Sequence, residues 1–242
     1  MTMAKQNGYL ILDRLSDIEL YFTPPEFKEG NQLILIDDEF HHSINVMRNT
    51  IGDILHITDG EGTIYKSEIT SINKKQLSAL ILEKKYFINK SENIWFCVPM
   101  LKNQDRLKYT FEKCVELGIT KFILFSSKHA ISKKINPEKF KKTTLAAMKQ
   151  SLRAFLSEIS VSNFNEIINL SGVKLLFDQN AGQKFDGTLE SNKPTYLLFG
   201  PEGGFGETEI GLIEPQSQFS LSTNRLRSET AIVKCASLLN LS

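Results

Sequence analysis

At 242 residues, with 41% hydrophobic and 24% charged residues, the chain has the composition of a globular protein with a sizeable core, which excludes disordered and fibrous architectures. No apolar run approaches the roughly 20 residues that a membrane span requires, and no basic segment followed by an apolar stretch opens the sequence, so a cytoplasmic protein with no membrane contact is expected. The formal net charge of +1 is unevenly spread: residues 1–89 carry 9 Lys and Arg against 13 Asp and Glu, a net of −4, and residues 90–242 carry 20 against 15, a net of +5.

The first 16 residues show no firm pattern. From residue 17 to 88 the text is that of a small β-barrel with one helix. Leu33–Ile36, Ile51–Thr58, Thr63–Ile72 and Gln76–Leu82 are short β-prone runs, and Asp59-Gly60-Glu61-Gly62 between two of them is a hairpin signal. Asp37 to Arg48 places Phe40, Ile44 and Met47 at helical spacing. His41 and His42 are adjacent in that helix and diverge by about 100°, so they read as surface residues rather than a metal-binding pair. A polar joint at residues 84–93 then marks a change of rhythm.

Residues 93–242 alternate strand and helix, the signature of a parallel sheet. Strands are expected at Ile94–Met100, Lys121–Ser126, Lys174–Asp178, Thr195–Gly200 and Phe219–Ser222. Trp95, at the start of the first, reads as core rather than as a base-stacking platform. Asp105 to Leu117 forms a helix with Leu107, Phe111, Cys114 and Val115 on one face. Asn136-Pro137-Glu138 reads as N-cap, first-turn proline and first-turn acid of a second helix. Ser228 is expected to cap a last helix with the stripe Ala231, Ile232, Cys235, Leu238 and Leu239. Cys97, Cys114 and Cys235 lie far apart in apolar surroundings with no metal-ligand spacing, so buried thiols and no metal are expected. Six lysines, Lys128, Lys133, Lys134, Lys139, Lys141 and Lys142, stand against one acid, Glu138; they form either a solvated face or a contact for an RNA backbone.

Two loops carry the chemistry. Leu197-Leu198-Phe199-Gly200-Pro201-Glu202-Gly203-Gly204-Phe205-Gly206 is a buried strand opening into a glycine-rich turn and a helix. Ligands of open α/β sheets bind beyond the carboxyl ends of strands, and glycines there let a ligand approach the backbone closely. The same glycines also suit a plain strand-to-helix turn. Neither the phosphate loop with its Gly-Lys-Ser/Thr nor the GxGxxG dinucleotide pattern fits, and Glu202 disfavours a polyphosphate. Leu221-Ser222-Thr223-Asn224-Arg225-Leu226-Arg227-Ser228-Glu229-Thr230-Ala231 is a second strand end, polar loop and helix start, and two such loops define one crevice.

These residues resemble the SPOUT-class (trefoil-knotted) 16S ribosomal RNA uridine N3-methyltransferase family over roughly residues 20–242. Tyr21-Phe22-Thr23-Pro24, His41-His42, Val46-Met47-Arg48 and Ile51-Gly52-Asp53 are similar to its PUA-like RNA-binding domain. Lys102, Arg106, Glu112-Lys113 and Glu116-Leu117-Gly118 follow its first catalytic helix, and Gly200-Pro201-Glu202-Gly203-Gly204 and Leu226-Arg227-Ser228-Glu229-Thr230-Ala231 are its most specific motifs. Two positions depart from the pattern. Ser222-Thr223-Asn224 replaces a glycine and an arginine-containing tripeptide, and Lys149-Gln150-Ser151-Leu152-Arg153 is all that survives of a Glu-Gln-Ser-x-x-Arg element.

The resemblance implies an α/β fold with a PUA-like β-barrel at residues 17–88 and a SPOUT methyltransferase domain with a deep trefoil knot and a parallel sheet at 93–242. It implies a homodimer acting on 16S rRNA in the 30S subunit. S-adenosylmethionine would be held by Leu176, Leu198, Phe199, Gly200, Glu202, Gly203, Gly204, Leu221, Ser222, Asn224 and Leu226. Removing a weakly acidic imide proton and stabilising the resulting oxyanion assigns Arg227 and Arg225 to the uracil or a phosphate, and Glu229 to holding Arg227 in place. Arg48, Lys102, Arg106, Lys133, Lys134 and Arg153 are the expected RNA contacts. The rivals are a non-catalytic RNA-binding dimer of the same fold, opposed by the intact glycine loops, and a nucleotide hydrolase, opposed by the missing Walker lysine.

Overall fold

The computed structural model describes residues 18–126, 137–189 and 193–241. The expected RNA contacts Lys133 and Lys134, together with Lys128, Asn136 and the first 16 residues, lie outside the described residues.

The first part of the chain forms a curled six-stranded sheet. Its elements are β1 (Leu20–Phe22), β2 (Lys28–Glu29), β3 (Gln32–Ile36), α1 (Asp37–His41) continued by a π-helical turn at His42–Val46, β4 (Ile54–Thr58), β5 (Thr63–Ile72) and β6 (Gln76–Tyr86). The strand order is β1-β4-β5-β6-β3-β2, antiparallel except for β1 beside β4. Alternation of side chains sends Leu33, Leu35, Leu55, Ile57, Tyr65, Ile69 and Leu77 into one core, against which Phe40 and Ile44 of the helical segment pack. Curling brings the two ends of the sheet together: Thr23, just after β1, donates its Oγ1 to the carbonyl of Ile34 in β3 at 2.6 Å. Asp59-Gly60-Glu61-Gly62 does turn β4 into β5, and the carboxylate of Asp59 accepts from the amides of Glu61 and Thr63. His41 is exposed, and His42 reaches Glu19 at 2.9 Å.

The second part is a seven-stranded sheet with helices around it. It runs β7 (Ile94–Pro99), α2 (Gln104–Glu116), β8 (Lys121–Ser126), α3 (Glu138–Gln150), β9 (Glu158–Asn163), α4 (Phe164–Asn169), β10 (Val173–Phe177), β11 (Gln183–Lys184), β12 (Thr195–Phe199), α5 (Glu207–Ile210), β13 (Gln218–Ser220) and α6 (Ser228–Leu238). The order β11-β13-β10-β12-β7-β8-β9 is parallel throughout. Strands buried on both faces read as continuous apolar runs, and Thr195–Phe199 is buried at every position. Strands β1, β2, β9 and β11 are additions to those expected from the sequence, and β13 runs Gln218–Ser220 where Phe219–Ser222 was expected.

Helix α2 is capped by Asn103, whose side chain accepts from the amides of Asp105 and Arg106. Two caps differ from expectation. Pro137 itself occupies the N-cap position of α3. Ser228 does not cap α6 but is its first helical residue, after Arg227 at the N-cap, and its hydroxyl instead donates to the carbonyl of Gly200 at 2.7 Å. That bond ties the start of the last helix to the end of β12.

One face of the sheet is covered by α2, α3 and α6, and Phe111 stands at the centre of that layer. Its ring lies 4.9 Å from Phe122 of β8, edge-on, and 4.9 Å from Phe140 of α3. The three cysteines are fully buried, and burial pushes their thiols well up. Trp95 stacks on Tyr196 at 5.3 Å under the ammonium of Lys121, an intramolecular packing role.

Deleting the Phe111 ring removes both aromatic contacts and leaves a cavity between β8 and two helices that cannot close over it. Phe111→Ala should therefore destabilise the chain by about 3–5 kcal/mol, read as a shift of the urea unfolding midpoint at unchanged slope.

Candidate functional site

Three neighbouring strands of the sheet, β13, β10 and β12, end within one residue of one another. The register pairs Phe177 with both Phe199 and Phe219, so the three phenylalanines stand abreast. Phe177 and Phe199 stack at 5.0 Å and 10°. Past them the chain leaves the sheet in three loops, and a crevice of about 340 Å³ opens between these loops. Its floor includes the stacked Phe177 and Phe199. Its walls come from residues 178–180 after β10, 200–205 after β12 and 221–226 after β13, with Ser228 and Ala231 of α6 alongside.

Each loop has a local reason for its shape. In the β12 loop the amide of Gly204 donates to the carbonyl of Pro201 at 2.9 Å, closing a turn that leaves Gly204 at φ +74. A Cβ on Gly204 would meet no atom within 4 Å, so glycine is required there by backbone conformation and not by crowding. Glu202 is exposed at the tip, where its Oε1 accepts from the amide of Lys102 at 3.3 Å. In the β13 loop the Ser222 hydroxyl accepts from the amide of Asn224 at 3.1 Å. In the β10 loop Asp178 donates its amide to Phe219 and accepts from the amide of Asn180.

Of the expected cofactor residues, Phe199, Gly200, Glu202, Gly203, Gly204, Leu221, Ser222, Asn224 and Leu226 line the crevice, and so does Arg225. Leu176 and Leu198 do not; both are fully buried in the core on the other face of the sheet. Arg227 is exposed beside the crevice and makes no ion pair among the described residues. The pairing expected between Glu229 and Arg227 is absent. Glu229 is 8% exposed and faces Arg106 of α2, with Oε1 3.5 Å from Nε, while its Oε2 has no hydrogen-bond partner among the described residues. The cause is helical geometry: Glu229 lies inside the first turn of α6, on the side packed against α2, whereas Arg227 precedes the turn, at the N-cap, and is exposed.

The expected RNA contacts scatter. Lys102 is exposed at the crevice rim, Arg106 is half-buried next to Glu229, and Arg48 is exposed in the loop that leads into β4. Arg153 turns inward, donating Nη2 to the carbonyl of Glu116 at 2.8 Å, and its burial lowers its pKa. Lys139, Lys141 and Lys142 are exposed on α3. Gln179 and Asn180 line the crevice without having been expected to. The signal for them was the rule that ligands sit beyond strand ends, but sequence order does not reveal that β10 lies between β12 and β13. Among the described residues no three His, Cys, Asp or Glu side chains gather as a metal site.

The RNA methyltransferase domain family matches residues 89–240, and the RNA methyltransferase PUA domain family matches residues 35–82. A protein named ribosomal RNA small subunit methyltransferase E from Bacillus subtilis is 25% identical over 232 residues, covering 86% of this chain and 90% of its own. The protein of the same name from Aquifex aeolicus is 27% identical, covering 88% and 96%. The solved structure of a ribosomal RNA small subunit methyltransferase E from Neisseria gonorrhoeae, bound to S-adenosyl methionine, shares the fold with a TM-score of 0.79 at 23% identity, covering 90% of this chain and 95% of its own.

The Arg106–Glu229 contact generates a test. Arg106→Ala leaves the Glu229 carboxylate buried without its counter-cation and should lower stability by about 1–3 kcal/mol. Glu229→Gln in the same chain removes the stranded charge and should recover most of that loss. Equal melting temperatures for the single and double variants would contradict the pairing.

Proposed function

The chain belongs to the RNA methyltransferase family, whose match takes in the whole crevice, and we propose that it transfers a methyl group from S-adenosylmethionine to N3 of a uridine in the 16S rRNA of the small subunit. The observation that carries this reading is the convergence of three loops on one crevice at the carboxyl ends of adjacent parallel strands, with both family motifs among its walls. The names of the relatives supply the small-subunit substrate.

The residues present fit that methyl donor. The charged side chains lining the crevice are Asp178, Glu202 and Arg225. Two carboxylates suit a ligand carrying a sulfonium and an ammonium, and one guanidinium suits its carboxylate. The same two carboxylates repel a polyphosphate. A floor that includes stacked phenylalanines offers an apolar surface to a flat base, and exposed main-chain groups at three strand ends give it hydrogen bonds.

S-adenosylmethionine, when bound, supplies an electrophilic methyl group on sulfur. The protein's part is to bring uracil N3 in line and to stabilise the charge that appears on the flanking carbonyl oxygens as the imide proton leaves. Arg227, exposed and without an ionic partner among the described residues, and Arg225, on the crevice wall, are the groups placed for that charge. Glu229 acts on Arg106 instead, holding one edge of that guanidinium and leaving the other for RNA at the rim. Lys102, Arg48 and the exposed lysines of α3 take the RNA backbone.

We also assign the chain two domains, 17–88 and 93–242, a cytoplasmic location and action as a homodimer. A knotted C-terminal path is part of the same reading. It is supported by the insertion of β12 between β7 and β10 and by the bond from Ser228 to Gly200.

Calorimetric titration should give binding of S-adenosylmethionine on the order of micromolar affinity and none for ATP. Gly204→Val should abolish that binding while the chain stays folded, because a β-branched residue does not adopt φ +74 without strain. Arg227→Ala should leave donor affinity nearly intact and slow single-turnover methylation of small-subunit rRNA by about 100-fold or more. A wild-type rate for Arg227→Ala, or a loss explained by donor affinity, would remove it from the site.

A further inference from the structure

We propose that residues 149–156 form a rigid joint that holds the six-stranded module at one fixed angle to the donor crevice, with Lys149 and Gly62 as positioning residues for the RNA substrate. This rests on the reading above, in which the six-stranded module contacts RNA and the crevice holds the methyl donor.

The joint is first a main-chain seam. The tip of the β4–β5 hairpin lies against the segment that leaves α3. Gly62 donates its amide to the carbonyl of Ala154 at 2.9 Å, and Leu156 donates to the carbonyl of Gly60 at 2.8 Å. Glu61 and Phe155 form an antiparallel bridge between these bonds, and Thr58 adds its Oγ1 to the Ala154 carbonyl at 3.3 Å. The hairpin thus gains a short extra strand from the other half of the molecule. Such a seam fixes direction as well as distance, because main-chain bonds of this kind are lost on rotation. It also demands glycine: Gly62 sits at φ +107, and a Cβ there would lie 2.6 Å from the Phe155 ring.

A second tie is ionic. The carboxylate of Glu39 on α1 accepts from the ammonium of Lys149 at 2.6 Å with one oxygen and from the amide of Phe22 with the other. Lys149 and Glu39 side chains are only 19% and 16% exposed. Three elements, α1, β1 and α3, therefore meet on one carboxylate. A pair this sheltered is poorly screened, and removing one partner leaves the other without compensation.

The same segment reaches the crevice through α2. Arg153 binds the carbonyl of Glu116 in the last turn of α2. At its opposite end, Arg106 pairs with Glu229 and the nearby Lys102 amide binds Glu202. Thirteen helical residues span about 20 Å, so α2 is a strut from joint to crevice rim. An RNA held by the six-stranded module then meets the donor at a set reach, and a change of angle misplaces the uracil without touching the donor.

Double electron–electron resonance between nitroxides at Glu29→Cys and Lys184→Cys, in labelled protein diluted into excess unlabelled protein so that pairs within one protomer dominate, reads the separation that the joint fixes, since both positions are exposed and the native cysteines are buried. The starting protein should give a narrow distance distribution. Lys149→Glu, which breaks the ionic tie, and Gly62→Val, which breaks the seam, should each broaden it and lower kcat/KM for small-subunit rRNA by about 10- to 100-fold, with S-adenosylmethionine affinity unchanged within about twofold. The exchanged pair Glu39→Lys with Lys149→Glu restores the ion pair but gives the Phe22 amide no acceptor, so it should recover part of both the narrow distribution and the rate lost in Lys149→Glu. Distributions that stay narrow in both single variants overturn the joint, as do broadened distributions with wild-type methylation, rate losses that follow donor affinity, or a Lys149→Glu loss that the exchange leaves unimproved. If the starting protein neither binds the donor nor methylates RNA, the functional reading fails instead, and the distance distributions still report on the joint alone.

Discussion

The alignment of Phe219, Phe177 and Phe199 across three parallel strands is the constraint from which the site follows. Parallel ladders have evenly spaced hydrogen bonds and no hairpins, so nothing local dictates where neighbouring strands end. Here the side chains dictate it. Residues paired in register project to the same face, and a slip by one residue would turn the side chains of one strand to the opposite face and separate the three rings. β10 and β12 end at these rings and β13 one residue later, at Ser220, so the three chains leave the sheet almost together. A nearly level set of strand ends above a sealed aromatic floor is a crevice by construction, and the three loops need only avoid filling it.

Glycine in the β12 loop serves that last requirement. The turn closed by Gly204 and Pro201 reverses the chain within four residues and keeps side chains out of the space above Phe199. Ser228 then joins the end of β12 to the beginning of α6. The two motif loops, 28 residues apart at that bond, are thereby held against each other by a hydrogen bond that neither loop makes alone.

What could be read in the sequence is what depends on neighbours along the chain. The buried strand at Thr195–Phe199, the turn after it, the β4–β5 hairpin and the apolar stripes of α2 and α6 are all local, and residues at those positions signal them. Strands β9 and β11 were not legible: β9 is an exposed edge strand reading Glu-Ile-Ser-Val-Ser-Asn, and β11 is two residues long. Their pairing is imposed by the sheet rather than by their own propensity. The partner of Glu229 was not legible for a related reason. Arg106 lies 123 positions away, and the nearer Arg227 was excluded only by the rotation of one helical turn, a fact that belongs to α6 packed on α2. In Arg153 the basic side chain looked like an RNA contact, yet in the fold it satisfies a helix carbonyl.

The two sheltered carboxylates, Glu229 and Glu39, stand at opposite ends of a continuous helical layer and do the same physical work. Each is held by a cation from a different element, Arg106 in one case and Lys149 in the other. Neither pair is needed for apolar burial, since well-packed hydrophobic residues of similar size would be at least as stable in such places. What a charged pair adds is selectivity among arrangements: a helix that slides or rotates by a fraction of a turn leaves a carboxylate in a low-dielectric layer with no counter-charge, a heavier penalty than a shifted leucine meets. The Oε2 of Glu229, which finds no donor among the described residues, shows that the layer tolerates an incomplete polar contact there. With α2 and α3 packed on each other, fixing the crevice end of α2 and the module end of α3 fixes the path between them. The distance over which an RNA must reach from one sheet to the other is therefore set by charge placement as much as by the hydrophobic core.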